Sequence, residues 1–165
     1  MRYLLFAFFL LTSLNAAVSE KTLADSAALE KEVREIVDGS QVTVVHFWAP
    51  WCSNCAAEMR PGGWAKFVNE NPAVKVIFVN VWHAGQDPAP KLKAAQLGTQ
   101  ENFIARTHPI ASVAMEKVEN FLGQSLQWVP TTWVYRDGKL RYALNYGEIR
   151  FEMLQQMVKD AATSW

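Results

Sequence analysis

Two short and almost uninterrupted apolar runs stand out along the chain. Val42–Trp48 (VTVVHFW) and Val74–Val81 (VKVIFVNV) are rich in β-branched and aromatic residues, which is typical of strands that are buried on both faces. Between them a helix is predicted over 52–60, where Pro61 and the two glycines after it interrupt it, and again over 64–69. Strand, helix and strand in this order predict a βαβ unit with parallel strands.

Amphipathic helices are predicted near both ends of the chain. The segment 23–38 has apolar residues at helical spacing and is followed by Gly39, a C-terminal stop; these residues are Leu29, Val33, Ile36 and Val37. The same spacing recurs in a last helix, at Phe151, Leu154, Val158 and Ala161. Just before that helix, apolar runs over 131–135 and 140–144 flank Asp137-Gly138, which predicts a β-hairpin.

The segment between residues 82 and 126 has the weakest pattern. Pro, Gly and Asp over 84–90 predict a loop, and 91–106 is expected to be helical in part. Proline suits a first helical position, and a helix that starts at Pro109 places six apolar residues on one face: Ile110, Val113, Ala114, Val118, Phe121 and Leu122. The whole order predicts an α/β fold, with a mixed central sheet, helices on both faces and a helical insertion before the last two strands.

Composition narrows the functional classes. The chain has 165 residues, half of them apolar, which fits one folded domain and excludes disorder of the whole chain. Lys+Arg and Asp+Glu both number 16, so no global basic field exists to attract nucleic acid, and we expect no nucleic-acid partner. The two cysteines are too few for a disulfide framework.

The N-terminal segment has the pattern of a secretory signal. Arg2 precedes an apolar run over Leu4–Leu14, and small residues follow at Ala16, Ala17 and Ser19. The run is shorter than the roughly 20 residues that a membrane-spanning helix needs. We therefore expect a signal peptide over 1–19, cut after Ala17 or Ser19, and a single domain over 20–165. The protein is expected in the periplasm or another exported compartment, with an uncleaved membrane tether as the alternative.

The sequence Cys52-Ser53-Asn54-Cys55 is the candidate chemical centre, because it lies where a buried strand passes into a helix. A helix N-terminus carries partial positive charge and unpaired N–H groups, both of which favour a thiolate and lower the pKa of a cysteine. Cys52 could therefore attack a partner disulfide, and Cys55, one helical turn along, could resolve the mixed disulfide. The pattern predicts two-electron thiol–disulfide exchange.

Three other roles for the pair stay open at this point. A structural disulfide across two residues would add little stability, because it closes a very short loop. A zinc site would need further ligands, and the three histidines, His46, His83 and His108, are widely spaced. A Cu(I)-delivery module would use the two thiolates as soft ligands. We expect no metal and no cofactor.

The segment Phe47–Cys55 (FWAPWCSNC) resembles the strand, tryptophan and CxxC motif of the thioredoxin superfamily. Val129-Pro130, followed by two threonines, resembles the loop that carries the family's cis-proline. The predicted signal, Glu58-Met59 after the second cysteine and the insertion over 82–126 are most similar to exported TlpA-like and cytochrome c maturation reductases.

The resemblance implies a function and a set of partners. Cys52 and Cys55 would be catalytic, and Trp51, Val129 and Pro130 would bind substrate. Because neither residue between the cysteines is cationic, we expect a reductant, with an oxidant or isomerase as the alternative. The implied partners are disulfide-containing proteins, including apocytochrome, and a membrane electron donor of the DsbD type. We expect a monomer.

His46 departs from the family pattern. Thioredoxins carry a buried acid six residues before the first cysteine, where this chain has His46. An imidazole could accept the proton of the resolving cysteine in place of that acid, or it could be a hydrogen-bonded core histidine. Both interpretations stay open. Of the other aromatic residues, Trp51 is expected at an exposed rim; Trp48, Trp64, Phe67, Trp128 and Trp133 are expected in the core, and His83 and His108 at the surface or in loops.

Overall fold

The computed structural model describes residues 18–113, 116–145 and 147–163. The predicted signal peptide falls almost wholly on residues 1–17 and therefore lies outside the described residues. Within the described ranges, no helix is both long and apolar enough to cross a membrane.

Seven strands form a five-stranded mixed sheet and a separate small hairpin. They are β1 (Thr43–Trp48), β2 (Lys75–Asn80), β3 (Phe103–Thr107), β4 (Asn120–Phe121), β5 (Gln124–Ser125), β6 (Thr131–Arg136) and β7 (Lys139–Asn145). The order across the large sheet is β3-β2-β1-β6-β7, and β4 pairs with β5. β1 and β2 are parallel, as predicted, and so are β2 and β3. β6 is antiparallel to both β1 and β7, which confirms the predicted hairpin.

Helices cover both faces of this sheet. They are α1 (Glu20–Val37), α2 (Ser53–Glu58), α3 (Trp64–Glu70), α4 (Ala89–Ala94), α5 (Pro109–Val113) and α6 (Phe151–Ala162). Side chains of β1 alternate between the two faces. Val44 and Trp48 pack with residues of α2, α3 and α6. Val45 and Phe47 pack with residues of α1 and α5. The predicted mixed α/β architecture is confirmed.

The break between α2 and α3 falls where Pro61 predicts it. Gly63 is the N-cap of α3, and a Cβ at this position would collide with the carbonyl oxygen of Glu58. The close approach requires a glycine and fixes the backbone at the end of α2.

The predicted helical insertion is partly wrong. α5 ends at Val113, and Phe121 belongs to the β4–β5 hairpin, not to a helix. Leu122 and Gly123 connect these strands with φ values of 50° and 76°, the left-handed backbone of a two-residue hairpin turn. Val118 and Phe121 are nevertheless buried, as helical spacing required. Apolar spacing identified the core residues here but not the element that carries them.

The prediction that 91–106 is helical in part is confirmed by α4, but the strand at the end of this segment was not predicted. Only α4 lies in this segment, and the chain then forms β3, the outermost strand of the sheet beside β2. β3 is an edge strand and is only partly buried. It therefore lacks the uninterrupted apolar run that predicted β1 and β2.

Candidate active site

Cys52 and Cys55 lie at the carboxyl end of β1, where the chain turns into α2. Cys52 is the N-cap of α2, with extended backbone, and its Sγ accepts a hydrogen bond of 3.2 Å from the backbone N–H of Cys55. The two sulfurs are joined in a disulfide, and their Cα atoms are 5.3 Å apart. Cys52 is 6% exposed and Cys55 only 1%. A partner can therefore approach Cys52 and not Cys55.

The predicted cis-proline loop lies against the cysteines. The Val129–Pro130 bond is cis, and the carbonyl oxygen of Val129 lies 3.7 Å from Sγ of Cys52. Pro130 is buried and Val129 half-buried. The loop thus places backbone carbonyl groups beside the sulfur that a partner would reach.

Tryptophans surround this end of the molecule. Trp51 is 40% exposed, as expected. Its Nε1 donates to the carbonyl oxygen of Trp82 at 2.9 Å, and the two rings meet edge to face at 4.6 Å. Trp128 is 58% exposed, so its predicted core position is wrong. It lies in the loop that leads to Pro130, outside the sheet, where packing does not enclose it.

His46 lies beneath the cysteines on β1 and is completely buried. Its ring packs between Trp64 and Phe78, with centroids 4.5 and 4.6 Å away. Nδ1 is 2.9 Å from Oγ1 of Thr132 on β6. Burial lowers the pKa of His46 to about 3, because a charged ring would lose its hydration. The ring is therefore neutral at physiological pH.

Glu58 is not predicted as a site residue from the sequence, but the structure places it as a buried member of the site. It is 1% exposed. Its Oε1 accepts from the backbone N–H of Ile149 at 2.7 Å, and Oε2 accepts from Nε1 of Trp64 at 3.0 Å. Burial raises the pKa of Glu58 to about 7, with a smaller contribution from the negative charge of Glu148, against the opposing effect of the two hydrogen bonds.

The sequence offers one signal for Glu58. It follows Cys55 by three residues on α2, and residues at this spacing share one face of a helix. A carboxyl three residues after a buried cysteine is thus directed to the same side of the helix.

A cavity of about 170 Å³ connects Glu58 to the cis-proline loop. Its other lining residues are Pro130, Thr132, Leu144, Gly147, Glu148, Ile149, Arg150 and Met153. Glu148 and Arg150 are exposed, so the cavity reaches the surface. Glu58 therefore lies at the inner wall of a cavity that opens to solvent next to the cis-proline loop.

The structure brings all the predicted site residues together. Cys52, Cys55 and Trp51 follow β1, while Val129 and Pro130 precede β6, the antiparallel neighbour of β1. His46 is paired in register with Thr132 on the same two strands. Among the described residues, no group of three or more His, Cys, Asp or Glu side chains could hold a metal ion.

His108 does not follow the expectation of a surface or loop position. It is 2% exposed and packs near Phe121. Its backbone N–H donates to the carbonyl oxygen of Asn80 at 2.9 Å. This bond extends the pairing of β3 with β2 by one residue and carries His108 into the core.

Comparison with protein families decides the assignment. A profile of the thioredoxin-like domain matches residues 29–162. The chain belongs to the thioredoxin-like domain family. The matched range includes both cysteines and the cis-proline. No curated protein sequence matches the chain.

Solved structures agree with this thioredoxin-like fold. StoA from Bacillus subtilis is 21% identical with a TM-score of 0.51, and the match covers 72% of this chain and 82% of StoA. A secreted Mycobacterium tuberculosis disulfide oxidoreductase homologous to Escherichia coli DsbE is 22% identical with a TM-score of 0.50, covering 73% and 82%. A DsbF homologue from Corynebacterium diphtheriae is 17% identical with a TM-score of 0.54, covering 73% and 72%. At these identities the likeness shows the fold alone.

Family and site together establish the reaction class. A thioredoxin-like domain with a CxxC pair at the junction of β1 and α2 is a thiol–disulfide oxidoreductase. Its reaction moves two electrons between this pair and the disulfides of other proteins.

Proposed function

We propose that this protein is an exported reductant of protein disulfides, with Cys52 as the nucleophile and Cys55 as the resolving thiol. The observation that carries the proposal is the difference in exposure between the two cysteines at the start of α2, 6% for Cys52 against 1% for Cys55. The Cys52 thiolate attacks one sulfur of a substrate disulfide and releases the other as a thiolate. The Cys55 thiolate then attacks Cys52, so the substrate leaves with two electrons and the chain keeps the disulfide.

The second step requires that buried Cys55 lose a proton, and we assign its acceptance to Glu58. A general base works best when its pKa lies near the working pH. The pKa of Glu58 is about 7, whereas that of His46 is about 3. Glu58 also lines the cavity, so that it can pass the proton to solvent. Of the two candidates, Glu58 is thus better suited to accept the proton.

We assign substrate docking to Trp51, Val129 and Pro130. A substrate sulfur must come within bonding distance of Cys52, which lies beside the carbonyl of Val129 and directly follows the exposed Trp51 in the chain. An extended substrate segment could pair with the backbone of this loop and cover the exposed tryptophan.

The reducing direction is supported by the residues between the cysteines. Ser53 and Asn54 are uncharged, and a thiolate without a neighbouring cation is less stable, which makes the pair a stronger reductant. A reductant must be recharged, so we propose a membrane electron donor of the DsbD type. Apocytochromes with oxidised cysteine pairs are the proposed clients. The secreted M. tuberculosis neighbour supports an exported location.

The direction of electron transfer is tested by measuring the equilibrium redox potential of the Cys52–Cys55 couple, in the chain without its predicted signal. A value near or below thioredoxin's roughly −270 mV is expected. A value near DsbA's roughly −120 mV would exclude a reductant and make disulfide formation the function.

The roles of the two cysteines are tested by trapping. Cys55→Ser is expected to accumulate mixed disulfides with partner proteins through Cys52. Cys52→Ser, the matched control, should trap far less, because Cys55 is buried. A metal carrier would trap nothing in either variant and would lose Cu(I) in both.

A further inference from the structure

Below the cysteines, His46 and Glu58 form a buried pair whose arrangement thiol exchange alone does not require. Both side chains are fully buried, and Nε2 of His46 lies 3.3 Å from Oε2 of Glu58. The two atoms are out of line for a hydrogen bond in this structure. Contacts on their far sides hold both groups: Thr132 at Nδ1 of the ring, and Trp64 and Ile149 at the carboxyl oxygens. Such a pair must satisfy its hydrogen bonds internally.

We propose that His46 is a positioning residue for Glu58 and that its ring changes tautomer whenever Glu58 gains or loses a proton. The ring stays neutral in both states. The inference rests on the proposed role of Glu58 as the proton acceptor for Cys55.

When Glu58 is ionised, its oxygens can only accept hydrogen bonds. Nε2 of His46 must then carry the ring proton in order to face Oε2. Nδ1 is left as an acceptor, and the hydroxyl of Thr132 donates to it. Every polar atom of the ring then has a partner, once Nε2–H and Oε2 come into line.

When Glu58 is protonated, its O–H can donate only to a ring nitrogen without a proton. Nε2 must now be the acceptor, so the ring proton is on Nδ1 and is donated to Oγ1 of Thr132. A hydroxyl serves equally well as donor or acceptor, so Thr132 fits both states. Between the states the pair gains one proton, which Glu58 receives from Cys55 or, in the disulfide form, from solvent through the cavity. The ring keeps a single proton, which exchanges from Nε2 to Nδ1 by way of Glu58 and the hydroxyl of Thr132, both of which line the cavity, and no electrons move.

The alternative, a charged imidazolium beside ionised Glu58, is opposed by the surroundings. The ring packs against Trp64 and Phe78 and is wholly buried, which lowers the pKa of His46 to about 3. A neutral ring that exchanges donor for acceptor avoids placing a second charge in this interior.

Other groups that face Glu58 come from each neighbouring element. Glu148 and Arg150, on the segment before α6, line the same cavity, but both are exposed and therefore screened by solvent. Cys55, three residues before Glu58 on α2, is held in the disulfide here. In the described part of the chain, α3 and β6 place the uncharged Trp64 and Thr132 beside the pair. His46 is therefore the buried titratable group that faces Glu58 in the disulfide form.

Nuclear magnetic resonance of the disulfide form tests the tautomer change directly. In the full chain labelled with ¹⁵N-histidine and ¹³C-glutamate, Glu58 is titrated between pH 4.5 and 9. The ring proton of His46 is expected on Nε2 above the pKa of Glu58 and on Nδ1 below it. A ring that keeps one tautomer throughout, or that becomes doubly protonated in this range, overturns the proposal.

Two variants separate positioning from packing. His46→Phe keeps a ring between Trp64 and Phe78 but removes both nitrogens, and it also assigns the His46 signals. Because a hydrogen bond to a charged acceptor is about twice as strong as a neutral one, its loss is expected to raise the pKa of Glu58 by about one unit, a tenfold change. His46→Gln, whose amide N–H can reach the position of Nε2, should keep the pKa of Glu58 close to the wild-type value.

Equal effects of the two variants on the pKa of Glu58, or no effect in either, would mean that His46 only fills space.

Insulin-disulfide reduction by the wild-type chain is measured in parallel. Insulin reduction without a tautomer change refutes this inference and leaves the proposed function intact. A tautomer change without insulin reduction refutes the proposed function and leaves the tautomer change of His46 established. If His46→Phe fails to fold, the wild-type titration still decides.

Discussion

Replacing Glu58 by glutamine is expected to remove a pH dependence from the stability of the disulfide form. Burial raises the pKa of Glu58 from 4.5 to about 7. The folded chain thus keeps this proton over a pH range in which the unfolded chain has released it. By linkage, the free energy of unfolding falls as the pH rises from about 4.5 through about 7. Glutamine does not titrate, so the variant lacks this fall.

The expected magnitude follows from the two pKa values. At 1.36 kcal/mol per pKa unit, a rise from 4.5 to about 7 corresponds to about 3 kcal/mol between pH 4.5 and pH 8. Glutamine also carries a constant cost. Both carboxyl oxygens accept from N–H donors, those of Trp64 and Ile149, and an amide –NH₂ facing either of them costs about 1–3 kcal/mol at every pH. The informative quantity is therefore the change with pH of the difference in stability between the two chains.

Urea denaturation of both oxidised chains from pH 5 to pH 9 measures this difference. Burial lowers the pKa of His46 and of His108, which makes stability rise with pH as the unfolded histidines lose protons. This effect is present in both chains and cancels in the difference. Relative to wild type, Glu58→Gln should gain about 2–3 kcal/mol between pH 5 and pH 8. If the free energies of unfolding of the two chains change with pH in parallel, the pKa of Glu58 is not raised.

Three further substitutions test the surroundings of the site. Trp64→Phe removes the N–H donor to Oε2 of Glu58 and is expected to raise its pKa by about one unit, measured from the ¹³C carboxyl shift; an unchanged value contradicts this. Gly63→Ala is expected to destabilise more than Gly62→Ala in urea, because only the former meets the Glu58 carbonyl; equal losses would count against that contact. Trp128→Ala should lower kcat/KM for protein disulfides several-fold with an unchanged redox potential, since this ring is exposed on the docking loop; a changed potential would place its role at the sulfurs instead.

The elements predicted correctly from sequence are those whose burial is uniform. β1 and β2 have neighbours on both edges and helices on both faces, so nearly every position is apolar. β3 lies at the edge and alternates less clearly. The helix predicted from Pro109 to Leu122 is too long for a different reason. Core contacts at Val118 and Phe121 are compatible with helical spacing, but Gly123 favours the turn that ends β4.

The position of the cysteine pair could be predicted from sequence because it depends on a local feature, a strand that runs into a helix. The environment of Glu58, the proposed proton acceptor, could not, because it arises from tertiary packing. The high pKa of Glu58 depends on burial beneath the segment at Ile149, about ninety residues away in the chain. Similarly, the role of His46 depends on Thr132, which only the pairing of β1 with β6 brings near.

The convergence of His46 and Glu58 also explains why an imidazole suits a position where thioredoxins carry an acid. Here the carboxyl comes from α2 and reaches within 3.3 Å of the His46 ring on β1. Even with the shorter reach of an aspartate at position 46, two carboxyls close together in a buried site do not readily both ionise. His46→Asp should therefore push the second ionisation of the pair well above pH 7, and the variant should lose stability relative to His46→Asn as the pH rises from 6 to 9. Denaturation curves of the two variants measure this, and a constant difference between them would show that the two positions do not share one site.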